Sequence, residues 1–199
     1  MIDEQIFRRF NHTIAACFVI YFLFPEKIIG LERYYLIFLF WLLVIGIEVA
    51  RFKKNVEILG LRDYEKNRIA GFVWFASGAC LLLGVYELDL APQSFVIGTI
   101  IMAAYTDPVI GEANQRCDDK WGIILGLGCS FIIYQVIIGV FFYAIIGSIV
   151  AVIAERPKIK WFDDDLAMQI IPICVMCFLH SYGIGPELVE QGLIIKEGL

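Results

Sequence analysis

Two carboxylates stand where hydrocarbon-like sequence surrounds them. Glu48 lies in FWLLVIGIEVAR and Asp107 in IIMAAYTDPVIGE. A charged carboxylate at the centre of an apolar helix costs at least about 2.5 kcal/mol, so it normally faces a polar interior, a partner or a site. Glu48 and Arg51 are spaced i,i+3 and can pair on one helix face. Asp107 precedes Pro108, which cannot donate to the helix ladder and leaves the Ala104 carbonyl without its usual donor. With Gly111 close behind, this spacing predicts a broken or kinked helix end carrying a carboxylate.

Further ionisable groups gather at the ends of the other apolar stretches. Arg8, Arg9 and His12 precede the first. Arg62, Glu65 and Arg68 precede the third, and Glu112 follows the fourth. Asp118, Asp119 and Lys120 lead into the fifth, Glu155 ends the sixth, and Asp163, Asp164 and Asp165 open the seventh. Clustered carboxylates beside basic side chains suit one kind of chemistry. The carboxylates hold Mg²⁺ or another divalent cation, the cation holds a polyphosphate, and Arg and Lys take the remaining phosphate oxygens. In that scheme Asp107, Glu112 and Asp164 are candidate catalytic groups, and Asp107, Asp163 and Asp164 candidate metal ligands. Arg51, Arg62, Arg68, Lys120, Arg8 and His12 are candidate phosphate or nucleotide contacts, with Glu48, Glu65 and Glu155 in support. Plainer roles compete at each place. The 51–68 segment also reads as a solvated basic loop, and one aspartate of the 163–165 run reads as a helix cap.

The elements that must position these groups are apolar helices. Hydrophobic residues make up 60% of the 199-residue chain and charged residues 19%, against roughly 25% charged in an average soluble domain. The charges are confined to short clusters between long uncharged stretches. Within hydrocarbon only helices and closed barrels satisfy the backbone, and these stretches are too long, and too continuously apolar, for barrel strands. The expected fold class is all-α: a single polytopic bundle with spans near 11–25, 34–51, 69–86, 91–111, 121–137, 139–155 and 166–182. The first run resembles a signal peptide but lacks a small-residue cleavage site and is read as a retained span. The stretch from Trp121 to Ala154 carries no Asp, Glu, Lys or Arg. As one helix it would run about 50 Å against a hydrocarbon core of about 30 Å, so it divides near Gln135 to Gly139.

That division places every Lys and Arg except Lys27, Arg33 and Lys196 on the side of the N-terminus, the bias that marks the cytoplasmic face. The net charge of −5 argues against nucleic acid as a partner. The six cysteines lie mostly in apolar stretches and read as free thiols.

Taken in order, Arg8-Arg9-x-x-His12, Glu48-x-x-Arg51, Arg62-x-x-Glu65 with Gly71, Asp107 with Gly111, and Asp163-Asp164-Asp165 after Glu155 resemble the dolichol kinase, phytol kinase and CTP-dependent diacylglycerol kinase family. The resemblance implies a polytopic enzyme of a prokaryotic or endoplasmic-reticulum membrane. Such an enzyme uses Mg²⁺ and CTP, or a related nucleotide, to phosphorylate a polyprenol or diacylglycerol at the cytoplasmic face. Its partners would be the lipid substrate and the nucleotide, with a homo-oligomer or a larger membrane complex open. The sequence departs from the family after Asp107. DPVIGEANQRCDDKWG lacks the family's Lys-Ser-x-Glu-Gly loop, and Asp165 stands where Asn is common. A non-catalytic relative acting as a structural subunit, an isoprenoid-lipid cytidylyltransferase and a small transporter are the alternatives.

Overall fold

The computed structural model describes residues 13–54, 68–156 and 163–188. Among them the fold is all-α apart from one two-residue hairpin. A short helix, 3-10 in character over Ala16–Leu23, leads to strands β1 (Lys27–Ile28) and β2 (Leu31–Glu32). Ile29 and Gly30 make the turn, both at positive φ (52° and 80°), as a two-residue hairpin of right-handed twist requires. Six α-helices follow: α1 (Tyr34–Lys54), α2 (Gly71–Glu87), α3 (Gln93–Arg116), α4 (Asp119–Ile138), α5 (Phe141–Glu155) and α6 (Asp164–Ser181). Four of them, α1, α3, α4 and α6, are long and apolar enough to cross a membrane by length and composition; the first helix, α2 and α5 are shorter.

Small residues set the packing. α3 and α4 run antiparallel in close contact because α4 presents Gly122 to Asn114 and Gly126 to Ile110, where a Cβ would collide. At the other end of the pair Gly98 of α3 lies against Tyr134. Tyr134 is fully buried, and its hydroxyl is 3.3 Å from Thr99 Oγ1. α4 stops at Gly139, whose φ of 74° lets its N–H reach back to the Gln135 carbonyl, the left-handed cap that glycine adopts without a Cβ penalty. α5 then returns from Phe141, so the uncharged stretch is two helices.

The break expected at Pro108 is absent, and α3 continues to Arg116. The missing N–H removes a single ladder bond, and the Ile110 and Asn114 contacts with the α4 glycines hold the next two turns in place.

The exterior is as apolar as the core. α1 buries only Val44, Glu48 and Arg51, while Phe38, Leu39, Leu42 and Leu43 are exposed. Ile132, Val136, Phe141 and Ile153 are exposed around the other helices. A helix that turns Glu48 and Arg51 inward and its leucines outward is arranged for an apolar surrounding rather than for water along most of its length.

Candidate functional site

Chain direction decides which groups meet. Arg68, just before α2, bonds Asp163 at the start of α6, and Phe75 of α2 receives a hydrogen bond from Gln169 of α6. The two helices therefore run in the same direction. The ring of His180, late in α6, packs on Phe95 and Tyr143, early in α3 and α5. Those helices run opposite to α6. The C-terminal ends of α1, α3 and α5 and the N-terminal ends of α2, α4 and α6 thus share one end of the bundle.

At that end the Glu48–Arg51 pair is the centre. Arg51 Nε and Nη2 each donate to a Glu48 carboxylate oxygen at 2.7 Å, and both residues are only 5% exposed. Glu48 Oε1 also accepts the Ala70 N–H at 2.9 Å, and Arg51 Nη2 donates to the Arg68 carbonyl at 2.8 Å. The guanidinium lies 4.3 Å from the centroid of the Phe52 ring. The pair therefore clasps the chain entering α2 by its backbone. A charge-assisted, bidentate arrangement of this kind is both strong and geometrically specific. It also commits Arg51 inside the chain, so a phosphate could reach that guanidinium only if the clasp opened.

The next residues carry the network outward. Arg68 Nη2 lies 3.5 Å from Asp163 Oδ2, with the arginine partly exposed and the aspartate side chain buried. Asp163 caps α6, accepting from the Asp165 N–H, and carboxylate oxygens of Asp163, Asp164 and Asp165 lie within 4.8 Å of one another. Burial first, and then the Asp164 charge, push the Asp163 carboxyl up to about 6, against the opposing pull of Arg68. Negative charge is crowded here beyond what one arginine offsets. A divalent cation fits this donor set. Gln169, buried one turn along α6, holds the Asp165 carbonyl and the Phe75 carbonyl through Nε2. It steadies the acidic turn against α2, where Gly78 leaves room for its amide.

The other expected site residues lie toward the same end. Asp107 is half-buried on α3, nine residues before the helix end, or about 14 Å along its axis. Glu112 pairs with Arg116 on the same helix. Asp118 caps α4 by accepting from the Lys120 and Trp121 N–H groups, and Lys120 is exposed. Glu155 closes α5. Arg8, His12, Arg62 and Glu65 lie outside the described residues.

Three polar features had no forecast. Gln169 is one. The second, at the opposite end, joins Glu87 Oε1 to the Arg33 Nε (2.8 Å) and the Tyr21 hydroxyl (2.9 Å), with Arg33 also stacked near the Tyr21 and Tyr86 rings. The third is the Trp41 Nε1 donation to Ser77 Oγ at 3.0 Å between α1 and α2. The polar interruption of an apolar run at Gln169 was visible in the sequence; the partners of Arg33 and Trp41 were not.

No family model, curated protein or solved structure matches this chain.

Proposed function

We propose that this is a membrane-embedded phosphotransferase. In this reading it moves a phosphoryl group from CTP or a related nucleotide to the hydroxyl of a polyprenol or diacylglycerol. Its seven apolar segments cross or enter the bilayer with the N-terminus and the basic clusters on the cytoplasmic side. One observation carries the reading. Groups far apart in sequence, Glu48 and Arg51, Arg68, and Asp163 with its neighbours Asp164 and Asp165, are brought together at one end of the bundle through hydrogen bonds and an ion pair.

Asp163 and Asp164 would hold the cation, which supplies charge neutralisation for the nucleotide phosphates. Arg68, partly exposed beside Asp163, and the exposed Lys120 would take phosphate oxygens. Glu48 and Arg51 position Arg68 through its carbonyl rather than touching phosphate. Asp107 accepts the proton as the lipid oxygen bonds the terminal phosphorus and the bond to the leaving nucleoside diphosphate breaks. In such a transfer the protein mostly positions groups and neutralises charge, with one base contributing to the proton step.

The inward commitment of Arg51 favours a second reading, a non-catalytic structural subunit of a membrane complex, in which the clasp serves only the fold. Purified protein with Mg²⁺, terminally labelled CTP or ATP, and a panel of prenols and diacylglycerol separates the two. Labelled lipid phosphate is expected. Absence of both transfer and nucleotide binding across the panel, with stable co-purifying partners, would overturn the enzymatic reading in favour of the second.

A further inference from the structure

At the end of the bundle opposite the ionic one, the chain turns through the β1–β2 hairpin before it enters α1. Lys27 stands opposite Glu32, and Ile28 opposite Leu31. Residues directly opposite share a face, and the Lys27 ammonium lies 3.4 Å from the Glu32 carboxylate. One face of the hairpin is therefore polar, and the other carries Ile28 and Leu31. Leu31 is 62% exposed, and Ile29 at the tip is 99% exposed. Ile29 also holds φ at 52°, a region that β-branched residues rarely enter and that asparagine or glycine fills readily in such a turn. The strain persists at a side chain that gains nothing unless an apolar surrounding covers it.

The hairpin is tied down at its base. The Arg33 N–H donates to the Glu26 carbonyl at 2.8 Å, and the Arg33 guanidinium bonds Glu87 at the end of α2 and the Phe24 carbonyl. The tip is thus fixed relative to α1 and α2. α1 has 21 residues and is about 31 Å long, matching a hydrocarbon core of about 30 Å. Its last turn carries Arg51, Lys53 and Lys54. Its first turn carries Tyr34 and Tyr35, both exposed, the amphipathic rings that favour a membrane interface. The residues just before Tyr34 therefore stand at the boundary between headgroups and hydrocarbon. We propose that the hairpin is an interfacial anchor, with Ile29 and Leu31 seated in the lipid leaflet at that end and the Lys27–Glu32 pair turned to the headgroups. Lipid is the partner because the apolar tip continues the exposed apolar surface of α1, Phe38 and Leu39 included, at the depth where that surface ends. The inference rests on α1 spanning the membrane and not on phosphoryl transfer.

Detergent covers apolar side chains of folded and unfolded chains alike, so the seat is read in a bilayer. Ile29→Cys, Leu31→Cys, Lys27→Cys and Leu39→Cys are each spin-labelled in the full chain, its native cysteines replaced by Ala, in phosphatidylcholine nanodiscs. Helicity and elution volume are checked against the unaltered chain. Power saturation then compares relaxation by oxygen, which concentrates in hydrocarbon, with relaxation by a water-soluble nickel chelate. Oxygen is expected to dominate at positions 29 and 31, as at the Leu39→Cys reference on α1, and the nickel chelate at position 27. Dominance of the chelate at position 29 or 31 would put the tip in water and overturn the proposal. Low access of both probes at either position, or dipolar broadening between labels on two copies, would overturn it in favour of a protein contact. Chelate access at Leu39→Cys would remove the spanning reading of α1 and the anchor with it.

Discussion

Replacing Arg51 by Met strips the ionic clasp of its cation while keeping an apolar stem of similar reach. Glu48 then loses both 2.7 Å bonds and keeps only the Ala70 N–H, and the Arg68 carbonyl loses the guanidinium donor. Both partners are 5% exposed, so solvent does not take over. Removing one member of a buried pair costs about 3–5 kcal/mol, and in a chain of this size each kcal/mol moves the melting midpoint by about 2–4 °C. The expected fall is about 6–20 °C. Exposure of the buried Cys80 thiol to a maleimide dye reports it during a thermal scan in detergent, in a chain whose other cysteines are replaced by Ala. Adding Glu48→Gln to Arg51→Met removes the stranded charge but keeps an acceptor for Ala70, and more than half of the loss should return. With Glu48→Gln measured alone as well, the cycle gives the coupling between the two residues. A fall under about 2 °C for Arg51→Met, set against the cost expected of a stranded buried charge, would refute the reasoning. So would a double variant no more stable than the single.

Two further outcomes follow from the fold. Ile29 occupies a left-handed turn position with its side chain fully in the open; Ile29→Asn relieves about 1 kcal/mol of backbone strain and should raise the melting midpoint in the same scan. For orientation, cysteines introduced at Lys53 and Lys120 should react with an impermeant maleimide only from the cytoplasmic side of sealed cells, and one at Asp89 only from outside. The reverse pattern would invert the proposed topology.

How far the sequence foretold this arrangement depends on which atoms make each contact. The division at Gly139 was legible because a helix without it would overrun the bilayer, and because a glycine stood at the break. The i,i+3 pairing of Glu48 with Arg51 follows from helical spacing alone. Their outer partners do not, because the Ala70 N–H and the Arg68 carbonyl are backbone groups with no side-chain signature. Pro108 misled because its local cost is one ladder bond, whereas the Gly122 and Gly126 contacts that outweigh it come from another helix.

The central claim, that the ionic end of the bundle transfers phosphate to a lipid hydroxyl, is tested most directly by one comparison. Transfer of labelled phosphate from CTP to a long-chain prenol is measured for the unaltered chain, Asp107→Asn and Asp164→Asn, each confirmed to insert and fold normally. The account predicts robust transfer by the first, loss of at least about a hundredfold in Asp107→Asn, the lower range for removing a general base, and reduced transfer with a raised Mg²⁺ requirement in Asp164→Asn, which removes a cation ligand. Full activity in Asp107→Asn would remove that residue from the chemistry, and full activity in both variants would contradict the account.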